Sequence, residues 1–167
     1  CITLGQFLDR RARAGRTHHD HLLDAGLTDF LFSLHAARPE AFKATCGGSL
    51  DKLLAVMDRL DAQSFQYACN TVIMETNRAQ LPEIARMAVT RGVYALNLIA
   101  FNAYHAWRGQ DRAQALQAPY SKIRPHLTQA VDILTRGHVA VNIRYVPLCA
   151  FPGLERQVVG ALGVAYD

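Results

Sequence analysis

Polar side chains recur near the ends of apolar segments, and they are the residues able to do chemistry. Ser33 and His35 close Phe30–Leu34, Asn70 lies inside Phe65–Met74, Asn102 follows Ala95–Phe101, and Asn142 and Arg144 lie within Ala140–Val146. An unpaired buried amide costs about 1–3 kcal/mol, so Asn70 needs a partner. An arginine in such a segment needs a carboxylate, a phosphate or a substrate beside it. Local partners would also serve: Ser33 can bond a nearby carbonyl, and His35 can cap the next helix. The pattern points to binding rather than to hydrolysis. Asp58 with Asp61, and Glu75 with Glu83, have the spacing of helix-face or turn residues, not of an acid and base pair. The chain has no Gly-rich phosphate loop and no serine elbow.

The thiols and imidazoles offer less. Cys1, Cys46, Cys69 and Cys149 form no C-x-x-C pair and no zinc spacing. They are expected as reduced thiols, with Cys69 in the core. Arg10, Arg11, Arg13 and Arg16 cluster ahead of His18, His19 and His21. No aromatic residues interleave with these arginines to stack bases, so they predict a solvated face and no nucleic-acid partner. The histidines at i, i+1 and i+3 do not share one helical face, which disfavours a metal site.

These residues need elements to position them, and the periodicity supplies them. Ser49 caps a helix with Leu50, Leu53, Leu54, Met57 and Leu60 inward. A helix from Pro82 closes at Arg91-Gly92, and one from about Ser121 to Arg136 is stopped by Gly137. Thr17–Ala25 also has a helical pattern, and Cys1–Leu4 is a strand remnant. Each helix leads through a glycine into an apolar strand, which makes repeated β-α units, a parallel sheet and an α/β fold. An open doubly wound sheet and a barrel segment both satisfy this pattern. With 167 residues the chain is short of the roughly 250 that a closed eight-fold barrel takes. Residues 102–119, with Trp107, Gly109 and Gln110, are expected as a long functional loop.

Half of the residues are hydrophobic and 19% are charged, enough for a core and against wholesale disorder. Net charge is +4. No apolar run reaches the roughly 18 residues of a membrane span, and no secretory signal is visible, so a cytoplasmic location is expected.

Several of these segments together resemble the radical S-adenosylmethionine (radical SAM) enzymes. Leu27 to His35, ending Ser33-Leu34-His35, resembles the family's fourth strand. Asn70-Thr71-Val72-Ile73, Asn77 and Leu81-Pro82-Glu83-Ile84 are similar to its next strand and helix, and Leu98 to Asn102 to its sixth strand. Val141 to Cys149 with Pro152-Gly153-Leu154-Glu155 resembles a segment that follows the barrel in some members. The resemblance implies an incomplete (β/α)6 partial TIM barrel over residues 1–146, from the third strand onward, with 147–167 as a C-terminal extension. It implies S-adenosylmethionine cleaved reductively at a 4Fe-4S cluster, and an electron donor such as flavodoxin or ferredoxin. By the same resemblance Ser33, Asn70, Ile99 and Thr3 contact the cofactor, while Arg144 and Cys149 face an unknown small-molecule or peptide substrate. The chain departs from the family in lacking C-x-x-x-C-x-x-C and the Gly-Gly-Glu segment, so it is expected to be inactive alone. The alternatives are a non-catalytic remnant that binds a small ligand or a protein partner along an exposed strand edge, and a small α/β module binding an anionic molecule through Arg144 and helix N-termini.

Overall fold

The structure is a computed structural model and describes residues 1–12, 15–102 and 111–159. Strand β1 (Ile2–Thr3) is followed by α1 (His18–Asp24), β2 (Phe30–Ser33), α2 (Pro39–Cys46) and α3 (Leu50–Ala62). Then come β3 (Tyr67–Ile73), α4 (Leu81–Thr90), β4 (Ala95–Ala100), α5 (Asp111–Leu116), α6 (Tyr120–Arg136) and β5 (Ala140–Arg144). All five strands are parallel, in the order β1-β2-β3-β4-β5.

That order separates the two α/β architectures. A doubly wound sheet reverses its strand order and places helices on both faces. Here each strand adds to the same edge, and right-handed crossovers then put successive helices on one side, as in a barrel segment. Side-chain alternation agrees. Phe30, Phe32, Cys69, Ile73, Leu96, Leu98 and Ile143 are all buried in one core with Leu53 and Met57 of α3, Ile84 and Ala88 of α4, and Leu127 and Leu134 of α6. The alternate residues Leu31, Ser33, Asn70, Val72, Asn97, Ile99 and Asn142 are half-buried on the opposite face. Phe30 and Phe32 stack at 5.5 Å, and Phe65 and Tyr67 meet them edge-on. Burying each such ring contributes about 1.5–3 kcal/mol.

The helices form for local reasons. Thr17 and Asp20 make a reciprocal capping box at α1, and Ser49 caps α3 through the Lys52 N–H. Gly137 ends α6 at an ordinary φ of −84°, and the left-handed residue is His138 at φ 57°. Packing explains the glycine: a Cβ there would stand 2.7 Å from Val89 Cγ1, and closer still to Cγ2. Residues 157–159 return to the outer edge of β5. The Ile143 N–H donates to the Gln157 carbonyl at 2.7 Å, and the Val159 N–H donates to the Ile143 carbonyl at 2.9 Å. Phe151, in the segment between, is fully buried and meets Tyr120 edge-on.

Two helices differ from the sequence expectation. Pro39–Cys46 forms α2, with Pro39 in its first turn, and Asp111–Leu116 forms α5 inside the stretch expected as a loop. Tyr104, His105, Trp107, Gly109, Gln110 and Arg13 lie outside the described residues. Among the described residues no helix is long and apolar enough to cross a membrane.

Candidate functional site

Strand register gathers the polar residues. Ser33 pairs with Asn70, Asn70 with Asn97, and Asn97 with Asn142, so one row crosses β2, β3, β4 and β5 on the face away from the helices. Asn142 Nδ2 donates to Asn97 Oδ1 at 2.9 Å, and Asn97 Nδ2 donates to Asn70 Oδ1 at 2.7 Å. The amides thus form a chain with direction, each bond polarising the next. Its ends are unpaired: Asn70 Nδ2, Asn142 Oδ1 and the Ser33 hydroxyl have no hydrogen-bond partner among the described residues.

A second row lies one pleat nearer the strand ends. Val72 pairs with Ile99, and Ile99 with Arg144, an apolar floor ending in an exposed guanidinium. His35 completes it on the β2 side. Its Nδ1 accepts the Val72 N–H at 3.2 Å, which leaves the proton of the neutral ring on Nε2. Burial holds the His35 pKa below the usual imidazole range, so the neutral form is favoured. His35 therefore ties β2 to β3 rather than capping the next helix, and Arg38, the N-cap residue of α2, makes no side-chain cap bond.

The rim is fixed by Asn77, which is fully buried. Its Nδ2 donates to the His35 and Val72 carbonyls, both at 2.8 Å, and its Oδ1 accepts the Met74 N–H at 2.7 Å. Buried Thr71, on the helix side, donates to the Leu34 carbonyl at 2.6 Å. The ends of β2 and β3 are held without help from a ligand, leaving the polar row available to one. Glu75 pairs with Arg78 at 2.8 Å, and that guanidinium holds its carboxyl below the usual range.

Of the residues expected at a site, Ser33, Asn70, Ile99 and Arg144 share this face. Thr3 pairs with Phe32, in the row that faces the helices, and its hydroxyl accepts the Gly5 N–H at 3.0 Å. Cys149 is exposed in a 3₁₀ turn, Leu148–Ala150, after β5. Asn97 is the residue the sequence did not single out, although it is the middle of the ladder. Its signal was available: Asn70, Asn97 and Asn142 each interrupt an otherwise largely apolar strand at a corresponding depth.

The cysteines do not form a metal centre. Cys69 is buried, its thiol pushed up to about 12, while Cys46 is half-buried and donates to the Phe42 carbonyl. Among the described residues no three His, Cys, Asp or Glu side chains come together to hold a metal. Buried His19 instead contacts Thr17 Oγ1 through Nδ1 at 2.6 Å. In the basic cluster Arg16 pairs with Asp24, and the Arg10 guanidinium lies 4.2 Å from the Phe7 ring centroid.

No protein-family model and no curated protein matches the sequence. Solved structures do resemble the fold. A domain of pyruvate-formate lyase-activating enzyme from Bacteroides vulgatus is 18% identical with a TM-score of 0.56, covering 77% of this chain and 74% of that one. SuiB of Streptococcus suis is 11% identical with a TM-score of 0.58, over 74% of this chain and 29% of that one. Hydroxymethylglutaryl-CoA lyase of Pseudomonas aeruginosa is 12% identical with a TM-score of 0.50, over 80% and 45%. The chain is thus similar in fold to most of the first of these and to parts of the other two, and its sheet is that of a partial barrel.

Proposed function

We propose that this chain is the later part of a radical SAM barrel, and that the face carrying the Ser33-Asn70-Asn97-Asn142 row binds S-adenosylmethionine. The register of that row, with free polar ends beside an apolar floor, carries the proposal. Its support from fold is that two of the similar structures, the activating-enzyme domain and SuiB, are radical SAM enzymes. The residues present fit the nucleoside half of the cofactor. The Ser33 hydroxyl and the spare Asn70 Nδ2 match ribose oxygens, and Val72 and Ile99 offer an apolar surface to a planar base. In the resembling family the bound cofactor is the source of a radical that removes hydrogen from a substrate. The residues here would bind and orient it and keep water from the floor.

The described residues do not fit the 4Fe-4S cluster, since the four cysteines are dispersed and one is core. Cluster ligands must come from another segment or another chain, and no step of the reaction is assigned to residues here. The test is S-adenosylmethionine binding by the polypeptide of the complete reading frame that contains Cys1. Ser33→Ala and Asn70→Ala should each weaken binding about tenfold, the worth of one good hydrogen bond to a ligand. Binding that is unchanged in both variants would remove the proposal.

A further inference from the structure

Resting on the reading of this face as a ligand site, we propose that its β5 end recognises a carboxylate next to an N–H group, the backbone end of an amino acid or peptide. Asn142 and Arg144 are two residues apart on the same face, about 6.6 Å along a parallel strand. Asn142 has committed its Nδ2 to Asn97, so the atom it presents is an acceptor, Oδ1. Turning it over to present a donor would break the ladder unless Asn97 and Asn70 turned with it. Arg144 presents only donors, and no acidic side chain of the described residues pairs with it.

An acceptor followed by a bidentate donor fits a ligand that offers N–H and then carboxylate. Acetate satisfies Arg144 alone and offers Asn142 Oδ1 no donor, and inorganic phosphate lacks the N–H spaced from a planar carboxylate. The pair therefore discriminates against simple anions. The chain supports this geometry just beyond Arg144. Tyr145 has a left-handed φ of 60°, and its carbonyl accepts from the Tyr120 hydroxyl at 3.3 Å. Strain of this kind persists where the surroundings impose it, and here it ends the strand at the guanidinium.

The experiment titrates the 15N-labelled polypeptide of the complete reading frame that contains Cys1 with N-acetyl-L-alanine, N-acetyl-L-alanine methylamide, acetate and inorganic phosphate. N-acetyl-L-alanine should shift the Asn142 side-chain amide and the β5 backbone amides, and bind at least tenfold more tightly than the other three. Arg144→Ala should reduce its affinity about tenfold, with Arg144→Lys between. Asn142→Ala should lower it to that of acetate and leave acetate unchanged. The amide spectrum of each variant reports whether it is folded. Equal binding of acetate or phosphate, a preference that survives Asn142→Ala, or no shift at β5 would overturn the proposal. Carboxylate recognition without S-adenosylmethionine binding would remove the cofactor reading alone; the reverse would remove the β5 assignment alone.

Discussion

The amide ladder makes a quantitative prediction about stability, because its middle member does what its ends do not. Asn97 makes both ladder hydrogen bonds, at 2.7 and 2.9 Å, whereas Asn70 and Asn142 each make one. A hydrogen bond of this kind contributes about 1 kcal/mol net, and these half-buried positions allow water to replace part of it. Asn97→Ala should therefore cost about 2 kcal/mol, and Asn70→Ala and Asn142→Ala about 1 kcal/mol each. In an Asn97→Ala background the bond to Asn142 has already gone, so Asn142→Ala should cost close to nothing more. Intrinsic strand preference changes alike at the three positions and cancels in the cycle. Urea unfolding of the four proteins measures the coupling, expected at about 1 kcal/mol. Additive costs, or a middle variant no worse than an end variant, would refute the ladder as an energetic unit.

Other consequences follow from the same structure. Gly137→Ala should destabilise the chain by about 1–3 kcal/mol through overpacking, because the new methyl group meets both γ-carbons of Val89. Thermal unfolding should show the sign reversed in a Val89→Ala background; a loss that persists there would contradict the packing explanation. His138→Gly should stabilise by about 0.5–1 kcal/mol, since His138 holds a left-handed φ of 57° just past α6, and denaturant unfolding that shows no gain would count against it. The His35 pKa is depressed in the folded state, so the unfolded chain takes up the proton first. Its contribution is intact above the unfolded pKa near 6.5 and is lost as pH falls toward the lower folded value. Stability measured from pH 8 to pH 5 should fall less steeply in His35→Gln than in the parent protein.

The elements were largely legible, because β-α units announce themselves by switching period and by the glycines between. Strands β2 to β5 and helices α1, α3, α4 and α6 fall where the apolar spacing puts them, within a few residues. Pro39–Cys46 and Asp111–Leu116 were not legible, since helices of 8 and 6 residues are too short to show a repeating stripe. Gly137 was legible as a stop for the wrong reason: its role depends on Val89, a residue of another helix that no local pattern reveals.

At the site, being polar residues inside apolar segments was enough to put Asn70 and Arg144 in view, but no local pattern aligns strands with one another. Register sets Ser33, Asn70, Asn97 and Asn142 in a line and sends Thr3 to the opposite face, and register is a property of pairs of strands. The same holds for Asn77. Its position after β3 was visible, while its role in clamping β2 to β3 depends on carbonyls 42 and 5 residues away.

The proposed function makes this face the cofactor-binding part of a radical SAM barrel. The most direct test is to read the coding sequence upstream of Cys1 in the same frame. The account predicts C-x-x-x-C-x-x-C followed by Gly-Gly-Glu, the thiolates and the methionine-binding segment that the dispersed cysteines here cannot replace. A start codon at or just before Cys1 with no such motif, and no companion chain supplying it, would contradict the claim.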